Sequence, residues 1–182
     1  MRIIKKRAKL TRKEGINLEL FSKKKNIKKN NKKNKFLRVS EYKKKIREFS
    51  KIKTKYCINN GNFKSIIRKI GRRKKKFFIF IKILETRLDN VLYRIGFFGT
   101  RREARQSISH KKIFVNGRNI NKPSYSVKKN DIITAKKKKK YKNQINKFSF
   151  VNDKLCKIKS LGFYKNYCSF FNSFYVLSIL NR

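Results

Sequence analysis

Residues 84–134 read LETRLDNVLYRIGFFGTRREARQSISHKKIFVNGRNINKPSYSVKKNDIIT. Apolar spacing, capping, turn chemistry and charge placement agree over this stretch, so it decides the fold. Leu84, Leu88, Val91, Leu92 and Ile95 recur at helical spacing, which predicts a first helix closed by the permissive backbone of Gly96. Thr100-Arg101-Arg102-Glu103 is a capping-box pattern. In it the Thr100 hydroxyl accepts the Glu103 backbone N–H and the Glu103 side chain returns to the Thr100 N–H. A second helix is therefore predicted to run to about Ser109, with Ala104 and Ile108 inward and Arg101, Arg102 and Arg105 outward. Ile113-Phe114-Val115 and Arg118-Asn119-Ile120 flank Asn116-Gly117, the dipeptide best suited to the two positive φ angles of a type I′ hairpin. Pro123 ends that pairing. Beyond Tyr125 and Val127, Lys128-Lys129-Asn130-Asp131 reads as a second turn into a short strand, Ile132-Ile133-Thr134.

Fifty-five Lys and Arg against nine Asp and Glu give the 182-residue chain a formal charge of +46. Such a surface repels itself unless a polyanion neutralises it, which points to nucleic acid, and only more weakly to an anionic membrane. The excess charge runs from residue 2 to residue 165 rather than sitting in one tail. The length allows one or two domains, leaving little room for an ordinary catalytic domain beside the 84–134 module. Cys57, Cys156 and Cys168 are odd in number and widely spaced, so they indicate neither a zinc site nor a disulfide framework, and a reducing compartment fits. No signal peptide is expected, because Glu14 and Glu19 interrupt an N-terminus without a central apolar run. The apolar stretches 77–84 and 167–180 fall short of the roughly 18–20 residues of a spanning helix, and no membrane association is expected. Heavy use of Lys, Asn, Ile, Phe and Tyr, with one Pro, one Met and no Trp, is what an AT-rich genome encodes. It suggests synthesis in an organelle such as a relic, apicoplast-type plastid, or else in the cytoplasm of an AT-rich bacterium.

Outward from the module the chain stays basic. Ser40 can cap a helix in which Tyr42, Ile46, Phe49 and Tyr56 share one face while Lys43, Lys44, Lys45, Arg47 and Lys51 lie elsewhere. Asn59-Asn60-Gly61 breaks it. Phe63, Ile66, Ile67 and Ile70 form the next stripe before Gly71, and after RRKKK a further helix carries Phe77, Phe78, Ile81 and Leu84. These stripes are expected to be core. Thr11-Arg12-Lys13-Glu14 repeats the capping pattern for about one turn before Gly15. Residues 23–35 are Lys and Asn around a single Ile27, too polar to offset the entropy of ordering alone. Residues 136–140 read as a solvated linker, 141–172 give no clear pattern, and 174–180, apolar on both faces, are read as a buried strand.

Catalytic signals are sparse. His110 is the single histidine, which excludes a multi-histidine metal site, and no Gly-rich phosphate loop is present. Glu85 and Asp89 lie four apart on one helix, where salt bridges with the surrounding cations are the simpler expectation than acid–base work. Arg101, Arg102 and Arg105, with Ser109, His110, Lys111 and Lys112 in the following link, gather guanidinium and ammonium groups beside a hairpin, and phosphate is their natural ligand. Such contacts position a protein without reading bases, so specificity would come from the shape of a folded RNA.

RLDNVLYRIGF, TRREARQSISH, IFVNGR and PSYSVKKNDII together resemble the S4 RNA-binding domain, in the version carried by the small-subunit ribosomal protein S4 family. The N-terminal T-R-K-E-G and the helix start LRVSEYKKKIRE resemble that family as well. The resemblance implies an α+β chain. Residues 1–83 would form a basic extension and a mainly helical rRNA-binding domain, and 84–135 an inserted module of two helices and a small antiparallel sheet. Residues 136–182 would be a basic linker and a C-terminal segment whose strand returns to the main body.

The resemblance further implies a structural constituent of the small ribosomal subunit that binds the 5′ domain of small-subunit rRNA, nucleates assembly, and touches neighbouring ribosomal proteins. The implied rRNA-binding residues are Arg12, Lys13, Tyr42, Lys43, Arg101, Arg102, Arg105, Gln106, Ser109, His110, Lys111, Lys112 and Asn116. Lys35 and Arg38 match positions that line the path where mRNA enters. Residues 23–35 lack the Gly- and His-containing loop and the cysteine-bound zinc of some family members, so no metal or cofactor is expected. A free-standing RNA-binding factor is the runner-up. A pseudouridine synthase comes third, because Arg87-Leu88-Asp89 matches the RLD around the catalytic aspartate of those enzymes, some of which carry the same domain.

Overall fold

The protein's computed structural model describes Thr11, Leu20 and residues 40–71, 73–135, 148–152, 155–158 and 173–180. Four helices build a helical body: α1 (Glu41–Lys55), α2 (Asn60–Ile70), α3 (Lys76–Glu85) and α6 (Ser173–Leu180). Ser40 caps α1, its hydroxyl accepting the Lys43 N–H. Gly71, at φ +52°, closes α2. Phe49, Ile52, Tyr56, Phe63, Ile66, Ile70, Phe80, Ile81, Leu84 and Val176 interlock as one core. Phe63 is its keystone, meeting Phe49 and Phe80 edge-on with ring centres 5.1 and 5.8 Å away, the arrangement aromatic quadrupoles favour.

The second unit contains α4 (Leu88–Ile95), α5 (Arg101–Ser109) and the strands β1 (Ile113–Val115), β2 (Arg118–Asn119), β3 (Ile132–Ala135), β4 (Phe148–Asn152) and β5 (Leu155–Ile158). The strands form one antiparallel sheet in the order β2-β1-β3-β5-β4. Phe114 stands opposite Asn119 on one side and Thr134 on the other. That register turns Ile113, Val115, Ile133 and Ala135 into a core shared with Leu88, Val91, Leu92, Ile95, Phe97, Ala104 and Ile108. Asn116 and Gly117 both take positive φ, +51° and +77°, the signature of the type I′ turn.

Several expectations are corrected. The apolar run through Leu84 and Leu88 is not one helix: α3 ends at Glu85, and Arg87 is extended and bridged to Ser126. Backbone pairing enforces the break, since Leu88 donates to the Tyr125 carbonyl and Val127 to that of Thr86, each at 2.9 Å. The apolar segment 174–180 lies within helix α6, not a strand, and its Val176 enters the helical core. Over seven residues apolar on every side, periodicity does not separate helix from strand, and packing against α1 and α3 decides. Tyr42, Ile46 and Phe78 are exposed rather than core. The sheet also reaches past residue 135, because β5 pairs with β3. Residues 23–35 and 136–140, read as extension and linker, lie outside the described residues.

Candidate nucleic-acid interface

The interface is built on the α4–α5 pair. Gly96, at φ +87°, ends α4 in the left-handed conformation. Thr100 then starts α5 with its hydroxyl 3.2 Å from the Glu103 N–H. Only half of the predicted capping box forms as written. The Glu103 carboxylate bonds the Gly99 N–H, at 3.0 Å, instead of that of Thr100. The helix start is still doubly tied.

Beneath α5 lies a buried ionic network. Glu85 accepts from the Tyr56 hydroxyl, from Asn90 Nδ2 at 2.7 Å and from Arg94 at 3.3 Å. Asn90 in turn accepts from Arg101 Nε at 2.7 Å. The Arg101 guanidinium stacks 4.2 Å from the Tyr93 ring centre and 5.3 Å from that of Tyr56. Asp89 is forked by Arg87, at 3.1 and 2.8 Å, and lies 3.6 Å from Arg105, which also donates to the Cys57 carbonyl. The network ties the end of α1 and the end of α3 to α4 and α5, so it joins the helical body to the second unit. Burial, together with the negative field of Glu85, pushes the Tyr56 phenol well above its ordinary value of 10.

This geometry sorts the residues singled out from sequence. Arg101 does not face outward: it is 2 % exposed and holds the two units together. Arg105 is half-buried and also committed inward. Arg102 is half-buried, Gln106 is exposed, and beyond buried Ile108 the residues Ser109, His110, Lys111 and Lys112 are exposed in one continuous run from the end of α5 to β1. Lys111, at φ +53°, turns the chain, and its carbonyl accepts from Asn119 Nδ2 at 3.0 Å, which fixes the run to β2. Asn116 is exposed, but its side chain clasps two turns: Nδ2 donates to Asp131 and Oδ1 accepts the Ile132 N–H. Tyr42 and Lys43 are exposed together at the start of α1. Arg12, Lys13, Lys35 and Arg38 lie outside the described residues, and of their neighbours Thr11 is helical and buried. Exposed Lys128 and Lys129, in the turn held against Asn116, are candidates that sequence reasoning misses, though their place in a lysine-rich turn beside the hairpin is legible.

The expected salt bridges of Glu85 and Asp89 are present, with Arg94 and Arg87. Among the described residues no cluster of three or more His, Cys, Asp or Glu could hold a metal ion, and no helix is long and apolar enough to cross a membrane.

Residues 86–133 match the S4 domain family. The small ribosomal subunit protein uS4 of Albidiferax ferrireducens is 39 % identical over 152 residues, spanning 76 % of this chain and 72 % of that protein. This chain belongs to the uS4 family. The uS4 proteins of Hydrogenovibrio crunogenus and Chromobacterium violaceum are 41 % and 43 % identical over 109 residues, 59 % of this chain and 53 % of each of theirs. The uS4 match extends well beyond the S4 domain in each case.

Proposed function

We propose that the chain is a structural component of the small ribosomal subunit that binds small-subunit rRNA. Exposed Gln106 and the exposed run Ser109, His110, Lys111 and Lys112, with Arg102 beside them, carry the reading. These donors sit on a helix and a hairpin whose cores are packed, so they meet phosphates without a large ordering cost. Lys128, Lys129 and the pair Tyr42 and Lys43 extend the contact, and Arg12 and Lys13 add to it from the N-terminal segment. Arg101 and Arg105 serve it indirectly, by holding α5 in place.

The finer placement has three parts. The rRNA target is the 5′ domain, where binding nucleates assembly. Neighbouring small-subunit proteins complete the surroundings, and Lys35 and Arg38 face the path where mRNA enters. The ribosome is that of a plastid, which the AT-driven composition favours. The enzymatic alternative loses its one candidate group: Asp89 is 1 % exposed, and both of its oxygens are engaged by Arg87. A buried, ion-paired carboxylate is not available to attack a base.

Sedimentation of the tagged chain on a sucrose gradient, followed by ultraviolet crosslinking of the small-subunit fraction, tests the reading. Co-sedimentation with small subunits, with crosslinks to rRNA at residues 106–112, is the expected outcome. A chain found wholly free, or crosslinked only to other RNAs, overturns it.

A further inference from the structure

Two asparagines precede a glycine in the chain, in Asn60-Gly61 and Asn116-Gly117. Such a pair leaves the asparagine side chain most open to its own backbone, because no Cβ on the next residue shields that residue's nitrogen. Both pairs are exposed, and nothing stands within 4 Å of where a Cβ would project from either glycine. The two asparagines differ in what surrounds them. Asn60 is the first residue of α2, whose Phe63, Ile66 and Ile70 are sunk in the helical core. Asn116 sits in a two-residue turn at φ +51°, and both ends of its amide are engaged. Its Nδ2 donates to Asp131 Oδ1 at 3.0 Å, and its Oδ1 accepts the Ile132 N–H at 2.8 Å.

We propose that Asn116 is a deamidation site held in check by this clasp, and that conversion there permanently unlatches the β1–β2 hairpin from the turn before β3. The Gly117 nitrogen bonds to Asn116 Cγ and gives up its proton. The Cγ–Nδ2 bond breaks, and Nδ2 leaves with that proton as ammonia. Water then opens the resulting five-membered imide, its hydroxyl going to one carbonyl carbon and its proton to the nitrogen. The acid so formed yields its proton to ammonia, leaving a carboxylate on a normal or an isoaspartyl backbone. The departing nitrogen is the one bonded to Asp131, so ring closure breaks that bond. Closure also rotates the backbone until the glycine nitrogen lies in plane with Cβ and Cγ. In α2 that rotation disrupts a helix anchored in the core, whereas at Asn116 it is confined to an exposed turn, where local opening is easier. The product cannot restore the clasp. A carboxylate only accepts hydrogen bonds, and it would face the carboxylate of buried Asp131, whose other oxygen already accepts the Lys128 N–H at 2.8 Å. Two like charges at that distance oppose each other. This chemistry stands whether or not the hairpin meets RNA.

The full chain is held at mildly alkaline pH for several days, natively and in urea, and conversion at Asn116 and Asn60 is followed by peptide mapping with mass spectrometry. In urea the two asparagines should convert at similar rates, and in the native wild type Asn116 should be slowed. Asp131→Ala should speed native conversion at Asn116 by about 10- to 150-fold, the equivalent of one hydrogen bond to a charged group, and leave Asn60 unchanged. No acceleration at Asn116 in Asp131→Ala, or a native wild-type rate equal to that in urea, would overturn the proposal. Equal acceleration at both asparagines would mean that the variant has opened as a whole. Wild type in urea below its unfolding transition then decides: Asn116 should begin to convert before Asn60, and simultaneous onset or the reverse order overturns the proposal. Asn116→Asp reads the product. Amide exchange at Lys128 should rise in it, and exchange equal to that of the wild type would refute the unlatching.

Discussion

The Arg101 guanidinium lies 4.2 Å from the centre of the Tyr93 ring, on the buried side of α5, with its Nε bonded to Asn90. The residue that composition marks as a phosphate ligand is thereby a joint between the helical body and the α4–α5 unit. Arg101→Ala should cost about 2–5 kcal/mol, from a desolvated cation–π contact and a charged hydrogen bond. Against a typical domain stability of about 5–15 kcal/mol that is a large share. Urea unfolding of wild type, Arg101→Ala and Asn90→Ala checks it, and the double variant should cost less than the sum because the two residues share one bond.

Half-buried Arg102 and the exposed lysines after it should behave in the opposite way. Arg102→Ala, Lys111→Ala and Lys112→Ala should each change stability by less than about 0.5 kcal/mol. Each should also lower the slope of log affinity for small-subunit rRNA against log salt by about 0.7–0.9. Filter binding across a salt series separates them from Arg101→Ala, whose effect should appear in folding first.

The contrast shows what is legible in the chain. The hairpin, both caps of the helix pair and the α1–α2 core can be read locally, because Asn116-Gly117, Gly96, Thr100 and the Phe63 stripe act through near neighbours. The outward reading of Arg101 fails although its position is available: it precedes Ala104 by three and Ile108 by seven, on the same helical face. Residue type outweighs spacing in that reading. The split at Thr86–Arg87 is not available, since segment 123–127, distant in sequence, forces it through backbone bonds. Strands β4 and β5 sit in a region of Lys and Asn where alternation is weak, and they take their place by pairing with β3.

Asn116 couples the tip of the β1–β2 hairpin to the turn before β3. Its amide donates to Asp131 at 3.0 Å and accepts from Ile132 at 2.8 Å, while its own φ is +51°. Asn116→Ala removes both bonds and with them the polar side chain that makes the left-handed conformation tolerable for Asn, for an expected loss of about 1–3 kcal/mol. Gly117→Ala, at φ +77° with open space around it, should cost about 1–2 kcal/mol from backbone strain alone. Amide exchange at Ile132 and Lys128 should rise in Asn116→Ala and stay nearly unchanged in Gly117→Ala, which separates the clasp from the turn.

Tyr56 makes the joint sensitive to alkali. Burial and the neighbouring Glu85 raise its phenol well above 10 in the folded chain, whereas the unfolded chain titrates near 10. Between those two values the folded state holds a proton that the unfolded state has released. The contribution is complete below about pH 10 and is lost as pH rises from there toward the folded value. Tyr56→Phe removes this linkage along with the bond to Glu85. The variant should be less stable at neutral pH, by about 1–3 kcal/mol for the unpaired acceptor, and the difference from wild type should narrow above about pH 10. Chemical unfolding of both proteins from pH 8 to 11 measures this. A gap that stays constant across the range would mean that Tyr56 contributes packing but no protonated hydroxyl to the joint.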